Sequence, residues 1–303
     1  LAILQHTTGE EEVLVLEMGM TAPGQLTRLV QIAPPEVAVI TTVALVHACY
    51  FQSLEEIAWA KAEILSHSHT CLGIVHRDVA HFDEICRVGH CRKLSFSAEH
   101  READYTADVV GSTFRVQARL EKHSYDLGML PVPGEHNRHN ALAAVAVARH
   151  FNVGWEQIKE ALPSLVLPER RLQFVSLQGI LFVNDAYNAA ELSVKAAFQT
   201  MPSPERAGRK IAVFGSMLEL GKFSEESHKR IGEFALDYVE RLYCLGEECS
   251  STCRVWEEAG RPSLLFNDRM ALVAALKMDL RPDDVVLLKG SRAKELWRVL
   301  EEF

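Results

Sequence analysis

Short apolar runs punctuate the chain, and most are followed at once by polar residues. Residues 13–16 (Val-Leu-Val-Leu) and 37–40 (Val-Ala-Val-Ile) are of the length and type that make buried strands. Glu17 caps the carboxyl end of the first run, and His47 lies in the loop beyond the second. A helix is expected over 53–65, with Ser53 as N-cap and Glu55 and Glu56 in its first turn. Leu54, Ile57, Ala58, Ile64 and Leu65 recur at helical spacing on one face, and Lys61 falls on that face. From 71 to 130 the helical period disappears. Residues 113–120 alternate as a half-exposed strand does, and the region reads as β-rich without evident chemistry. Pro133-Gly134 then opens an alanine-rich helix over 141–148.

After Pro168-Glu169-Arg170-Arg171 the pattern becomes a regular alternation. Strand runs at 180–183, 211–214, 242–245, 263–266 and 285–288 are separated by helical segments, the clearest over 224–239. That grammar predicts an open parallel sheet of Rossmann-like architecture. The expected fold class is α/β, with a partial central ATPase-type domain containing a mixed sheet over 1–170. A Rossmann-like C-terminal domain follows over 171–303.

Composition changes this picture little. The 303 residues are 48% hydrophobic and 24% charged, as in a globular protein with room for two cores. A net charge of −9 leaves no excess of cations for nucleic-acid phosphates. No run is long enough to span a membrane, and residues 1–20 lack the pattern of a signal peptide. Seven cysteines at irregular spacing point to reduced thiols and a cytoplasmic setting, without the paired spacing of a structural zinc site. The chain begins at Leu1 inside what reads as an ordered segment, which points to a fragment.

Several strand ends carry candidate chemistry. Glu17 and His47 offer an oxygen and a nitrogen ligand at one sheet edge, suited to magnesium or manganese; each is also at home in a solvated loop or in packing. Lys61 either snorkels outward or points into a site where chemistry or a partner neutralises it. Asn137 and Asn140 lie three apart on the first turn of a helix, where carboxamides serve a nucleotide or simply cap. Asp185 stands beyond the strand at 180–183, where open α/β sheets meet ligands, although Asn184-Asp185 is equally turn chemistry. Lys289, Ser291 and Arg292 end another strand and could take a carboxylate or cap that strand.

In order, Glu17-Met18-Gly19, His47, Ala60-Lys61-Ala62-Glu63 and Gly134-x-His136-Asn137-x-x-Asn140-Ala141 resemble the central domain of the Mur ligases. These are the ATP-dependent amide-forming enzymes of peptidoglycan synthesis. Asn184-Asp185-Ala186-Tyr187-Asn188-Ala189, Gly215-Ser216-Met217-Leu218-Glu219-Leu220-Gly221 and Lys289-Gly290-Ser291-Arg292 resemble the type that joins D-alanyl-D-alanine to UDP-N-acetylmuramoyl-tripeptide. The resemblance implies ATP and Mg2+ as cofactors and a monomer. It makes Glu17 and His47 magnesium ligands, and Lys61 a carbamylated lysine that helps hold a second magnesium. It makes Asn137 and Asn140 nucleotide contacts and Arg171 a hinge arginine that reaches ATP phosphate. Asp185 and Asn188 would meet the nucleotide from the last domain, and Lys289, Ser291 and Arg292 the substrate.

Departures from the family pattern are Thr42, Ala44, Ala186, Ala190 and Ser216, where Asn, Gly, Ser, Asn and Asp are usual. No G-x-x-x-x-G-K-[ST] loop occurs in the 303 residues, so this chain alone is expected to be inactive. The rival readings are a folylpolyglutamate synthetase-like ligase or another Mur ligase, and a non-catalytic binding protein that kept the fold.

Overall fold

The computed structural model describes residues 10–45 and 48–303. Two six-stranded sheets organise the chain. The first half contains α1 (Gln25–Ile32), β1 (Val37–Ile40), α2 (Leu54–Ala62), β2 (Leu72–His76), α3 (Phe82–Cys86), β3 (Arg92–Ser97), β4 (Tyr105–Val110), β5 (Thr113–Ala118), β6 (His123–Asp126), α4 (Glu135–His150) and α5 (Trp155–Ala161). β1 to β4 run parallel and β4 to β6 antiparallel, in the spatial order β1-β2-β3-β4-β5-β6, so the sheet is mixed as expected. The alternation at 113–120 is β5, and α4 begins six residues before the alanine run at 141.

The sheet is covered on both faces. Leu72, Ile74, Phe96 and Val116 pack with Leu142, Val145 and Ala146 of α4. Ala38, Ile40 and Val75 pack on the opposite side with Ile57, Ala58 and Leu65 of the α2 region and Ile85 of α3. Ser53 caps α2 as expected, its Oγ accepting from the Glu56 N–H at 3.2 Å. Glu63, just past α2, satisfies the free N–H groups at the start of α1: its carboxylate accepts from Gly24 N at 2.7 Å and Thr27 N at 3.0 Å.

One expected strand is missing. Residues 13–16 form no strand, and Val13, Leu14 and Val15 are 54%, 52% and 87% exposed. β1 is an edge of the sheet, and no described backbone pairs beyond it. An apolar run becomes a buried strand only where a neighbouring ladder takes its N–H and C=O groups. Glu17 is correspondingly exposed and lies in irregular backbone rather than at a strand end.

The second half contains β7 (Gln173–Leu177), β8 (Ile180–Asn184), α6 (Glu191–Thr200), β9 (Lys210–Gly215), α7 (Ser224–Ala235), β10 (Arg241–Leu245), α8 (Ser250–Glu258), β11 (Ser263–Phe266), α9 (Arg269–Asp279), β12 (Val285–Lys289) and α10 (Val299–Glu302). The order is β11-β10-β9-β12-β8-β7. All five expected strands are present and parallel; β7 is an addition, antiparallel to β8. The polar residues Gln173 and Ser176 hide β7 from an apolar-run criterion. Its hairpin turn, Gln178-Gly179, has φ of 51° and 79°, the positive pair that a tight two-residue turn requires.

Alternate residues of the parallel strands face two cores. Val183, Ala212, Phe214, Val285 and Leu287 pack with Phe198 of α6, Ile231 of α7 and Trp256 of α8. Phe182, Ile211, Val213, Val286 and Leu288 pack with Leu272 and Leu276 of α9 and Val299 of α10. Burial on both faces explains why these strands read as continuous apolar runs. Among the described residues no helix is long and apolar enough to cross a membrane, and all seven cysteines are free thiols.

Candidate active site between the two sheets

β12 is inserted between β8 and β9, so the carboxyl ends of β8 and β12 lie side by side. Leu288 is in register with Asn184, which sets Lys289 beside Asp185. Both side chains turn inward. Lys289 Nζ donates to Asp185 Oδ2 at 2.6 Å, and Asp185 Oδ1 accepts from the Leu172 N–H at 3.1 Å. Lys289 is only 3% exposed, and burial pushes its ammonium down from the ordinary lysine value against the pull of Asp185. Lys289, expected at this strand end as a group that takes a carboxylate or caps the strand, has its charge matched by Asp185.

The connection from the first sheet enters beside this pair. Arg170 and Leu172 have φ of 63° and 45°, and exposed Arg171 lies between them, just before β7. The Arg170 carbonyl accepts from Tyr187 N at 3.1 Å. Arg171 lies 4.4 Å over the Tyr187 ring, Arg292 reaches the same ring at 5.7 Å, and Arg170 sits 4.1 Å over Trp297. Three guanidinium groups thus converge where the chain passes between the sheets.

A cavity of about 580 Å³ opens here, lined by Arg170, Asn188, Glu219, Ser291, Arg292 and Trp297, with Leu45 from the first half. Asn188, Ser291 and Arg292, expected to meet different ligands, share this wall. Ser291 is partly committed, its Oγ accepting from Leu218 N at 2.8 Å. The 217–221 loop is held from beneath by His228, whose Nε2 accepts from Met217 N at 3.0 Å and whose Nδ1 faces the Ser224 carbonyl at 2.7 Å. Ser216, at the place where the resembling family carries Asp, donates to Glu248 Oε2 at 2.6 Å. That hydrogen bond holds the Glu248 carboxyl below its usual range, so a carboxylate still reaches this place from another element.

The start of α4 faces the second sheet's domain across another cavity of about 550 Å³, with Gly134, His136, Arg138 and His139 on one side and Gln199 and Thr200 of α6 on the other. Asn137 is buried and donates from Nδ2 to the Pro133 carbonyl at 2.6 Å; Asn140 is exposed and donates to Asn137 Oδ1 at 3.3 Å. His136 Nδ1 is buried without a hydrogen-bond partner. Burial pushes the His136 imidazole down, while Asp185 pulls it up and Lys289 and Arg171 oppose that pull. The Gly-x-His-Asn turn and the Asp185–Lys289 pair therefore lie in each other's field. Gly134 has φ of 94°, and a Cβ there would meet the His136 ring at 2.6 Å, so only glycine fits.

Lys61, on α2, is half-buried, and its amine has no hydrogen bond or ion pair among the described residues. Burial lowers its pKa with no carboxylate to compensate. His47 lies outside the described residues, so its expected convergence with Glu17 is not part of the geometry. His136, Arg170, Tyr187 and Glu219 were not singled out from sequence as site residues. His136, Arg170 and Tyr187 each adjoin in the chain one that was, Glu219 shares a cavity with Asn188 and Ser291, and their common place at turns and strand ends is the signal that marks them.

Residues 1–148 match the Mur ligase middle domain, and residues 170–292 match the Mur ligase, glutamate ligase domain. The UDP-N-acetylmuramoyl-tripeptide--D-alanyl-D-alanine ligase of Bacillus subtilis (strain 168) is 30% identical over 304 residues, covering 96% of this chain and 64% of that protein. The protein of the same name from Escherichia coli (strain K12) is 30% identical over 318 residues, covering 99% of this chain and 67% of that protein. Among solved structures, the MurF ligase from Thermotoga maritima in complex with ADP aligns with a TM-score of 0.75 at 26% identity, covering 96% of this chain and 67% of that one. This chain spans 64% and 67% of the two curated relatives' lengths. With both domains matched in order and identity sustained over nearly its whole length, the chain belongs to the Mur ligase family.

Proposed function

We propose that these residues form the middle and C-terminal parts of an ATP-dependent ligase. Its reaction joins D-alanyl-D-alanine to UDP-N-acetylmuramoyl-tripeptide. The observation that carries this reading is the nearness of the Gly134–Asn140 turn to the second domain's strand ends: the charges of Asp185, Lys289 and Arg171 act on the buried His136 ring. We take the domain boundary at Arg170-Arg171, where the chain passes between the sheets.

In this reading Asn137 and Asn140 contact the nucleotide, and Asp185 and Asn188 meet it from the other side. Arg171 neutralises phosphate charge as the terminal carboxylate of the tripeptide attacks the γ-phosphate. ADP leaves, and an acyl phosphate remains. The dipeptide amine then attacks the acyl carbon, the amide forms, and inorganic phosphate is released. Arg292 and Ser291 offer a carboxylate-binding corner for the peptide substrates. The chemistry asked of the protein is positioning and charge neutralisation.

Magnesium is proposed at two positions, one held by Glu17 and His47 and a second held in part by a carbamate on Lys61. The fit rests on Lys61, whose half-buried amine has a lowered pKa and no ion-pair partner among the described residues. A neutral amine reacts with carbon dioxide, and the product is a hard oxygen donor. When bound, the metal supplies neutralisation of phosphate charge. The site, the soluble cytoplasmic setting and the monomeric state are parts of the same proposal.

Trapping the activated acyl group tests this function. The natural protein carrying these residues is incubated with ATP, UDP-N-acetylmuramoyl-tripeptide and hydroxylamine, with the dipeptide left out. A tripeptide hydroxamate is the expected product. ATP consumption without any hydroxamate, under conditions where the dipeptide gives product, would contradict the acyl-phosphate route.

A further inference from the structure

The β-rich region that shows no chemistry in sequence holds a compact group of ligand-type side chains. His76 ends β2, Asp78 follows two residues later, His100 lies after β3, and His139 projects from the first turns of α4. One donor atom each from His76, Asp78 and His139 lie within 4.8 Å of one another. We propose that His76, Asp78 and His139 bind one divalent transition-metal cation of the zinc class, with His100 at the rim of the site.

Three observations carry this. First, Nε2 of His139 is buried and has no hydrogen-bond partner, and Nε2 of His76, also buried, meets only the Asp78 carboxylate, at 2.9 Å. Buried ring nitrogens are ordinarily satisfied, and two facing one carboxylate call for a cation. Second, the donors are oriented from behind. Ser97 Oγ donates to Asp78 Oδ2 at 2.6 Å and accepts from Glu99 N and His100 N at 2.9 and 2.8 Å, which ties the His100 loop to the same anchor. His76 stacks on Phe96 with 5.0 Å between centroids. Such outer contacts fix ligand orientation in metal sites.

Third, the distances are close to what a small cation needs. His76 Nε2 is 2.9 Å from Asp78 Oδ2, His100 Nε2 is 2.9 Å from Asp78 Oδ1, and the His76 and His139 rings are 4.3 Å apart. Metal–ligand bonds of about 2.0–2.2 Å place tetrahedral donors roughly 3.4 Å from each other, within a side-chain adjustment of this arrangement. Two imidazoles and one carboxylate favour zinc, cobalt or nickel over magnesium, which prefers oxygen. This donor set shares no residue with Glu17, His47 and Lys61. His139 also borders the 550 Å³ cavity, so a cation here has an open side toward the gap between the domains.

Cobalt(II) is the probe, because its visible bands report coordination number. A second triad, Glu36, Cys71 and His150, offers a competing surface site, so the test uses the full chain with Cys71→Ser and His150→Ala. After dialysis against chelator, this protein is expected to take up one equivalent of cobalt with a tetrahedral or five-coordinate spectrum, displaced by zinc. Adding His139→Ala should weaken binding at least about tenfold, and His100→Ala less. Zinc should raise the melting temperature of the parent but not of the His139→Ala protein. Unchanged affinity in His139→Ala, or no stoichiometric uptake in a protein that remains folded, would overturn the proposal. Should His76→Ala fail to fold, His139→Ala on the helix still decides the matter.

Discussion

Lys289 Nζ and Asp185 Oδ2 are 2.6 Å apart at the ends of two neighbouring parallel strands, with both side chains buried. The pair ties β12 to β8 and, through the Leu172 N–H on Asp185 Oδ1, ties both to the connection between the domains. A ligand that engages either charge must therefore compete with its partner, and doing so loosens that connection.

Removing one member leaves the other charged and desolvated. Lys289→Met is expected to destabilise the chain by about 3–5 kcal/mol. Lys289→Met combined with Asp185→Leu should cost less than the sum of the single changes. Denaturant unfolding of the four proteins of the cycle measures this, and strict additivity would show that the pair is not coupled.

A second buried pair lies at the opposite end of the second sheet. Burial would raise the Asp284 carboxyl, but hydrogen bonds from Arg209, the closest at 2.6 Å, hold it below the usual carboxylate range. A depressed acid contributes stability above its unfolded pKa of roughly 4, and that contribution is lost as pH falls through the folded value. Asp284→Asn should cost about 3 kcal/mol at pH 7 and flatten the acid limb of the melting-temperature profile below pH 4. A variant with the wild-type acid limb would assign that limb to other groups.

Gly221 has φ of 54°, and a Cβ there would lie 3.0 Å from the Cys49 Cα, on the other domain. Beside it, Cys49 N donates to the Glu219 carbonyl at 2.9 Å. Gly221→Ala should cost about 1–2 kcal/mol and raise amide exchange at Cys49. Exchange unchanged at Cys49 would mean the contact is not held in solution.

Lys61→Ala in the natural protein should remove most ligase activity, at least about a hundredfold, since the carbamate oxygens proposed to help hold magnesium are lost with the side chain. Added acetate should restore part of the rate. Full activity of Lys61→Ala without any additive would exclude the carbamate role.

The second sheet was legible because β8, β9, β10 and β12 are covered on both faces and read as unbroken apolar runs; β7, covered on one side and carrying Gln173 and Ser176, did not. Residues 13–16 misled for the opposite reason, since four apolar residues look like a strand whether or not a neighbour pairs with them. Asp185 and Lys289 could each be placed at a strand end from sequence. That they satisfy each other depends on β12 lying next to β8, a sheet order that no local pattern encodes. The His76, Asp78, His100 and His139 group was invisible because its members lie on three separate elements, and neither spacing nor composition links them. The role reading of Arg171 came from family resemblance alone, whereas Asn137 and Asn140 also had their spacing on the first turn of a helix, which serves a nucleotide or a cap equally well.

The most direct test of the central claim is the substrate dependence of ATP turnover by the natural protein carrying these residues. Phosphate release is measured with UDP-N-acetylmuramoyl-tripeptide and D-alanyl-D-alanine, each omitted in turn, and the nucleotide product is weighed by mass spectrometry. The account predicts turnover only when ATP and both co-substrates are present, a product extended by one D-alanyl-D-alanine unit, and loss of at least about a hundredfold in Arg171→Ala. Turnover supported by a folate and glutamate instead, or full activity in Arg171→Ala, would contradict it.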